Sequence, residues 1–508
     1  MSTLTALARA LAADRGRAQP SCTVRHVHVS DRPLVLIPLA LAGEANAPLA
    51  AMVGDRPEAP NLLIVPEPRD RDQRFAFAAN LAAVILPYLT GYLPADPEAR
   101  PAEEPAAAEI PADAPQLLVP NPAGIAFTRM LGRSTRFRRT EGAYAVPESV
   151  PVLGRWLTFF TERAEHPASS LMLAATEALT MHWATGQSPV EDRNLGALLG
   201  WIDPPPGLTG AQAAALAEDP VRCPPAGPAT DPTFDNEVLE PAILAVRTAR
   251  ITGDGRARGH AEKALADALA TQLRPTWTLL WRSAELLRRI PQGAHVQTRW
   301  DADKAAFAWH ARHLVDGGPP QPRRDGAVAA ARRLANAERI QEMVAAQRAF
   351  DDPLIMAEHR MTGEAFAGRV VAAEPDRLDA TGRRRVLRPR VTVETDDLDF
   401  TATDAELTSP ARPSQKARVV AVTEAGPRNQ IVLELKGGMG RSLTPEPGSV
   451  PAVGERVSYA ASSPAYQPPA AFPDPEETPW THGGPPPPYV PANDDATEDW
   501  SCGHAASV

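Results

Sequence analysis

The chain has 508 residues and a formal net charge of −10, with 52 Lys and Arg against 62 Asp and Glu, so it is long enough for about three domains of ~100–200 residues each but too acidic to be wrapped generally in nucleic acid. Its three cysteines, Cys22, Cys223 and Cys502, are far apart, odd in number and never form a CxxC pair, which argues against a disulfide framework or a structural zinc knuckle. No run approaches the ~18–20 apolar residues of a membrane span, and Met1 to Arg17 lacks the apolar core of a signal peptide, so the expectation is a soluble, cytoplasmic protein without membrane contact.

In chain order, Ser2 can cap a short helix with Leu4, Leu7, Ala8 and Leu11 on one face. Cys22–Val29, Leu34–Leu41 and Asn61–Val65 read as strands, and Asp70–Leu89 as a helix whose apolar set is Phe75, Leu81, Val84, Ile85 and Tyr88. Residues 1–94 are therefore expected to form a small α/β unit. Residues 95–116 interleave Pro with Glu and Ala and read as a linker. From 117 to 360 the pattern is mainly helical, interrupted by a Pro-rich loop at 203–233 that contains Pro204-Pro205-Pro206. Trp277 and Trp281, one turn apart beside Leu280, Leu286 and Leu287, read as a core stripe.

Near Gly363 the period changes from helical to two. The runs Gly368–Ala373, Arg385–Glu394, Ala417–Thr423, Gln430–Leu435 and Arg456–Ala460 predict a small OB-like or SH3-like β-barrel over 361–463. Residues 464–508 read as a disordered, acidic, Pro-rich tail. The fold class expected is thus multidomain α+β: an α/β unit, a helical domain, a small barrel and a tail.

Four constellations bear on function. No GxxxxGK[ST], GxSxG or HExxH pattern occurs, which removes the common ATPase, hydrolase and zincin signatures. In the N-terminal unit, Glu44 follows one strand, Asp55 a second, and Glu67-Pro68-Arg69 closes a third. This order resembles the core of PD-(D/E)xK-type nucleases. The resemblance implies an acidic pair holding Mg²⁺ and a cation orienting the attacking water. Arg69 replaces the lysine of that pattern and Pro68 interrupts it, which favours a purely structural α/β unit.

Arg129, Arg133, Arg136, Arg138 and Arg139, with Phe127 and Phe137 nearby, form the densest basic cluster. Guanidinium groups there could grip phosphates while Phe137 stacks on an unpaired base. Arg388 and Arg390 share a face of one barrel strand, although Asp396, Asp397 and Asp399 follow closely. In the tail, acidic residues surround Trp480, Tyr489 and Trp500, a composition suited to a basic, apolar groove on a protein partner or to imitating nucleic acid.

Cys22, Val24, His26 and His28 share parity on the predicted first strand, placing a thiol and two imidazoles on one side. Spacing fixes no further ligand and a half-solvated strand gives the same alternation, so neither a metal nor a cofactor is expected. The function expected is that of a non-enzymatic accessory or scaffold protein assisting a nucleic-acid-processing enzyme. A Mg²⁺-dependent nuclease in the N-terminal unit and an interaction hub without nucleic acid are the alternatives. The candidate partners are accordingly an unidentified protein and DNA or RNA.

Overall fold

The computed structural model describes residues 3–42, 47–93, 110–464 and 468. Helix α1 (Thr3–Arg15) precedes strands β1 (Leu34–Ala40), β2 (Pro48–Gly54) and β3 (Asn61–Ile64). Helix α2 (Arg71–Thr90) follows, its first turn capped by the Asp70 carboxylate, which accepts the Gln73 N–H. Two three-residue strands complete the sheet, β4 (Leu117–Val119) and β5 (Met172–Ala174). The strand order is β3-β2-β1-β4-β5. Strands β1, β2 and β3 form an antiparallel meander, and β4 and β5 add in parallel to β1.

Alternation along these strands explains the layers. Val35, Ile37, Leu39, Leu118 and Leu173 point into one core, and Leu34, Leu36, Leu117, Val119 and Met172 into the other. The second core is closed by α2 with α3 (Pro122–Thr135), α4 (Ser149–Ala164) and, after α5 (Ala175–Thr180), α6 (Leu195–Ile202), α7 (Gly210–Ala217), α8 (Glu240–Thr252) and α9 (Gly255–Arg288), by α10 (Ala294–Val315). The first is closed by α6 and the 34-residue α9, whose Leu265, Leu269, Leu273, Trp277, Leu280 and Leu287 form its buried stripe. Trp277 is a core residue as its spacing predicts, and its indole N–H donates to the Pro57 carbonyl at 2.9 Å. Segments 34–64 and 117–174 thus share one three-layered body across the stretch read as a linker.

Residues 22–29 do not form the expected strand. Apart from an isolated bridge between Arg25 and Gln292, their main chain is held by side chains: Asp352 accepts from Thr23 and Val24, His182 from His26, Ser170 from His28 and Gln116 from Ser30. The apolar alternation is real, but the backbone partners come from the body around it.

Helices α11 (Ala327–Asp351) and α12 (Pro353–Met361) lead into the barrel. Its strands are β6 (Ala365–Glu374), β7 (Arg390–Thr395), β8 (Glu406–Ser409), β9 (Arg412–Ala425), β10 (Arg428–Lys436) and β11 (Arg456–Ala460). They close in the order β7-β10-β9-β8-β11-β6, antiparallel throughout. Four of the five period-two runs lie within barrel strands, and β8 is a strand beside them. The run Arg385–Glu394 breaks at Arg388-Pro389, so Val386–Leu387 pairs with Leu378–Asp379 outside the barrel and Arg388 precedes β7, contrary to the expectation that it lies within that strand. Phe366, Val391, Val393, Val419, Leu433 and Tyr459 fill the interior. Full closure leaves no edge strand to recruit another chain. No helix among the described residues is long and apolar enough to cross a membrane.

Candidate functional site

The barrel wall formed by β7, β10 and β9 positions a group of cations that share a face. Register sets Arg390 opposite Glu434, Glu434 opposite Arg418, and Lys436 opposite Lys416. Because Val391, Leu433, Leu435, Ala417 and Val419 point inward, Arg390, Glu434, Lys436, Lys416 and Arg418 point outward. Arg388, two residues before Arg390, lies next to Lys436, since the intervening Pro389 carbonyl accepts the Leu435 N–H at 2.9 Å.

Glu434 organises this wall. It is only 6% exposed and takes Arg377 at 2.9 Å, Arg418 at 3.2 Å and Arg390 at 3.5 Å. One carboxylate cannot neutralise three guanidinium groups, so the patch stays positive. Lys416 reaches outward to Glu406, whereas Lys436 has no ion pair among the described residues. Beside the wall, the hairpin between Leu378–Asp379 and Val386–Leu387 carries Arg383, Arg384 and Arg385, all exposed.

Glu374, opposite Arg390, and Glu406, opposite Arg418, offset part of this charge, and the other acids that balance the module by count lie at its far end. Asp396, Asp397 and Asp399 follow the far end of β7, roughly 20 Å from Arg390 at about 3.3 Å per residue. Arg428 pairs there with Glu394 and Asp396, and Arg360 of α12 grips Asp397 through two hydrogen bonds of 2.8 and 2.9 Å. The barrel is therefore electrically polarised along its strands. Arg388 and Arg390 join residues that the linear reading passed over, namely Arg377, Lys416, Arg418, Glu434 and Lys436. Their shared parity in the runs around 416–418 and 434–436 was the available signal.

The cluster around α3 is used differently. Arg136 is 3% exposed and donates to the carbonyls of Gln321 and Pro322, at 2.9 and 3.2 Å. It also stacks on Phe137, over which Arg323 lies as well. Arg129 pairs with Glu165 at 2.7 Å, Arg133 donates to the Arg323 carbonyl, and Arg138 donates to the Ser134 carbonyl and lies over Phe75. Arg139 is exposed. These contacts bind α3 to the 321–323 segment and to α2, so most of the group is occupied inside the body.

Asp55 and Glu67 are not brought together. Asp55 follows the last residue of β2, beside Arg32 and Arg56. Glu67 lies two residues after Val65, whose N–H donates to the Leu49 carbonyl at the start of β2, and it pairs with Arg250 at 2.9 Å. The seven residues of β2 separate the two acids by roughly 20 Å. Glu44 lies outside the described residues, as do Trp480, Tyr489 and Trp500 of the tail.

Of the N-terminal thiol and imidazoles, Cys22 and His26 converge but His28 turns away and stacks on Trp300 at 3.9 Å. Burial pushes the His28 imidazole down to about 4, so it is neutral at physiological pH. No family model, no curated protein and no solved structure matches this chain.

Proposed function

We propose that the protein is a non-enzymatic accessory factor that docks phosphate-bearing polymers, single-stranded or duplex nucleic acid, on the barrel wall formed by β7, β10 and β9. The observation that carries this reading is the juxtaposition of Lys436 and Lys416. Like charges directly opposite on neighbouring strands oppose folding, and here they add to the arginines held by Glu434. Glu406 supplies one carboxylate to the two lysines, and a phosphate backbone would relieve the remaining repulsion, with release of its counterions.

The contacts expected are electrostatic and indifferent to sequence. The large aromatics Phe366, Phe400 and Tyr459 lie inside the barrel, so base stacking is not part of this reading. Binding of a fluorescent oligonucleotide to the full chain tests it. Replacing Arg384, Arg385 and Lys436 together by Glu should weaken binding at least tenfold, whereas Asp396→Asn at the opposite end should not weaken it. Equal affinity for the parent and the triple variant would overturn the assignment.

A further inference from the structure

A second cluster lies where the N-terminal segment meets the corner between α11 and α12, and it stands independently of the barrel. Cys22 Sγ, a ring nitrogen of His26 and a carboxylate oxygen of Asp352 all lie within 4.8 Å of one another, and all three residues are buried. The Asp352 carboxylate ties the corner together. One oxygen caps α12 by accepting the Leu354 N–H at 2.9 Å, and the other accepts from Thr23 at 2.6 Å and Val24 at 3.3 Å.

His26 is fixed by its main chain. Its N–H donates to His182 Nε2 at 3.0 Å, and its carbonyl accepts from Arg299 at 2.8 Å. The ring itself is fully buried, yet neither Nδ1 nor Nε2 has a hydrogen-bond partner. Nε2 stands 3.5 Å from Asp352 without hydrogen-bond alignment. A buried polar group left so costs on the order of 1–3 kcal/mol, and native proteins satisfy nearly all such groups. The neighbouring imidazole has no such deficit. His182 donates from Nδ1 to the Ala178 carbonyl at 2.6 Å and uses its Nε2 lone pair on His26, so it positions the segment and has no nitrogen free for a ligand.

We propose that Cys22, His26 and Asp352 form a structural binding site for a borderline-soft divalent cation, Zn²⁺ by its chemistry. One sulfur, one imidazole and one carboxylate suit Zn²⁺, whereas Mg²⁺ and Ca²⁺ require mainly oxygen donors. Bonds of about 2.0–2.3 Å in a tetrahedron give ligand separations of roughly 3.5 Å, and the His26–Asp352 separation is already 3.5 Å. The Cys22 thiol lies 3.8 Å from the His182 carbonyl oxygen, which also accepts the Ser21 N–H at 3.0 Å. On binding, the Cys22 S–H bond gives way to an S–metal bond and the proton leaves to solvent. Thiolate and carboxylate then neutralise the dication, which the guanidinium groups of Arg299 and Arg348 make necessary because their field opposes uncompensated positive charge there.

A nucleophilic Cys-His-Asp triad does not fit the same residues. Cys22 is 5% exposed, and burial, with Asp352 beside it, pushes its thiol up to about 12. An attacking cysteine needs the opposite shift and an open approach.

The test uses the full chain carrying Cys223→Ser and Cys502→Ser, so that Cys22 is the sole thiol. Stripped of metal and titrated with Zn²⁺, it should take up stoichiometric metal and gain several degrees in Tm. With Co²⁺ it should show a thiolate-to-metal charge-transfer band. Adding Cys22→Ser, which preserves volume, should abolish the band and reduce Zn²⁺ affinity at least a hundredfold, and His26→Gln should reduce it similarly. Circular dichroism of the metal-free variants checks that they are folded. No uptake by the parent at saturating Zn²⁺, or uptake unchanged by Cys22→Ser, would overturn the assignment.

Discussion

Arg136 and Arg390 carry the same group to opposite ends. Arg136 is buried against main-chain carbonyls and an aromatic ring, whereas Arg390 is 34% exposed on a strand face beside other cations. Arg136→Ala should therefore cost about 2 kcal/mol of stability by leaving the Gln321 and Pro322 carbonyls without their donor, with oligonucleotide affinity unchanged. Denaturant midpoints alongside binding curves check both parts. Acid stability follows from other buried groups. Burial pushes His166 down to about 4 and His310, stacked on Phe159 at 4.3 Å, down to about 3. Above an unfolded value of about 6.5, both states hold these rings neutral and they contribute no pH dependence. Between about 6.5 and 4 the unfolded chain takes up protons that the folded chain refuses, so stability falls as pH falls through that window. Replacing both histidines by Gln should make this part of the profile shallower, with His28, His26 and His182 supplying the slope that remains, measured by urea midpoints at pH 7.5 and 5.

Among the elements, α12 and the barrel are joined through the bidentate Arg360–Asp397 pair, and Asp397 also accepts the Ala367 N–H at 2.8 Å. Asp397→Ala should speed limited proteolysis between 361 and 364 while leaving the barrel core intact; an unchanged cleavage rate would contradict this role for the pair. The barrel itself was legible because strands such as β7 alternate, with Val391 and Val393 buried against Thr392 and Glu394. Strand β8 escaped because its four residues, Glu406–Ser409, are too few to show a period. The same brevity hid β4 and β5, whose three apolar residues each read equally well as helix. Segment 22–29 misled in the other direction, since alternation was present but its hydrogen-bond partners are side chains far along the chain. Asp352, 329 positions from Thr23, is of that kind, and no local spacing could have paired it with Cys22 and His26.

For the whole molecule, net charge conceals the distribution that matters. The chain is at −10 overall, yet one barrel wall gathers Arg377, Arg388, Arg390, Lys416, Arg418 and Lys436 around a single buried carboxylate. The acidic residues of 469–508 follow this barrel in sequence and are opposite in charge to its cationic wall. Deleting 469–508 should therefore tighten oligonucleotide binding severalfold at low salt, and unchanged affinity would remove competition by that segment from the account. The most direct measurement is the salt dependence of oligonucleotide affinity for the full chain. A polyanion-binding wall predicts that log K falls linearly with log salt, with a slope shallower by about two to three in the Arg384→Glu, Arg385→Glu, Lys436→Glu variant. Parent and variant slopes that coincide, or a parent that binds no oligonucleotide even at low salt, would contradict it.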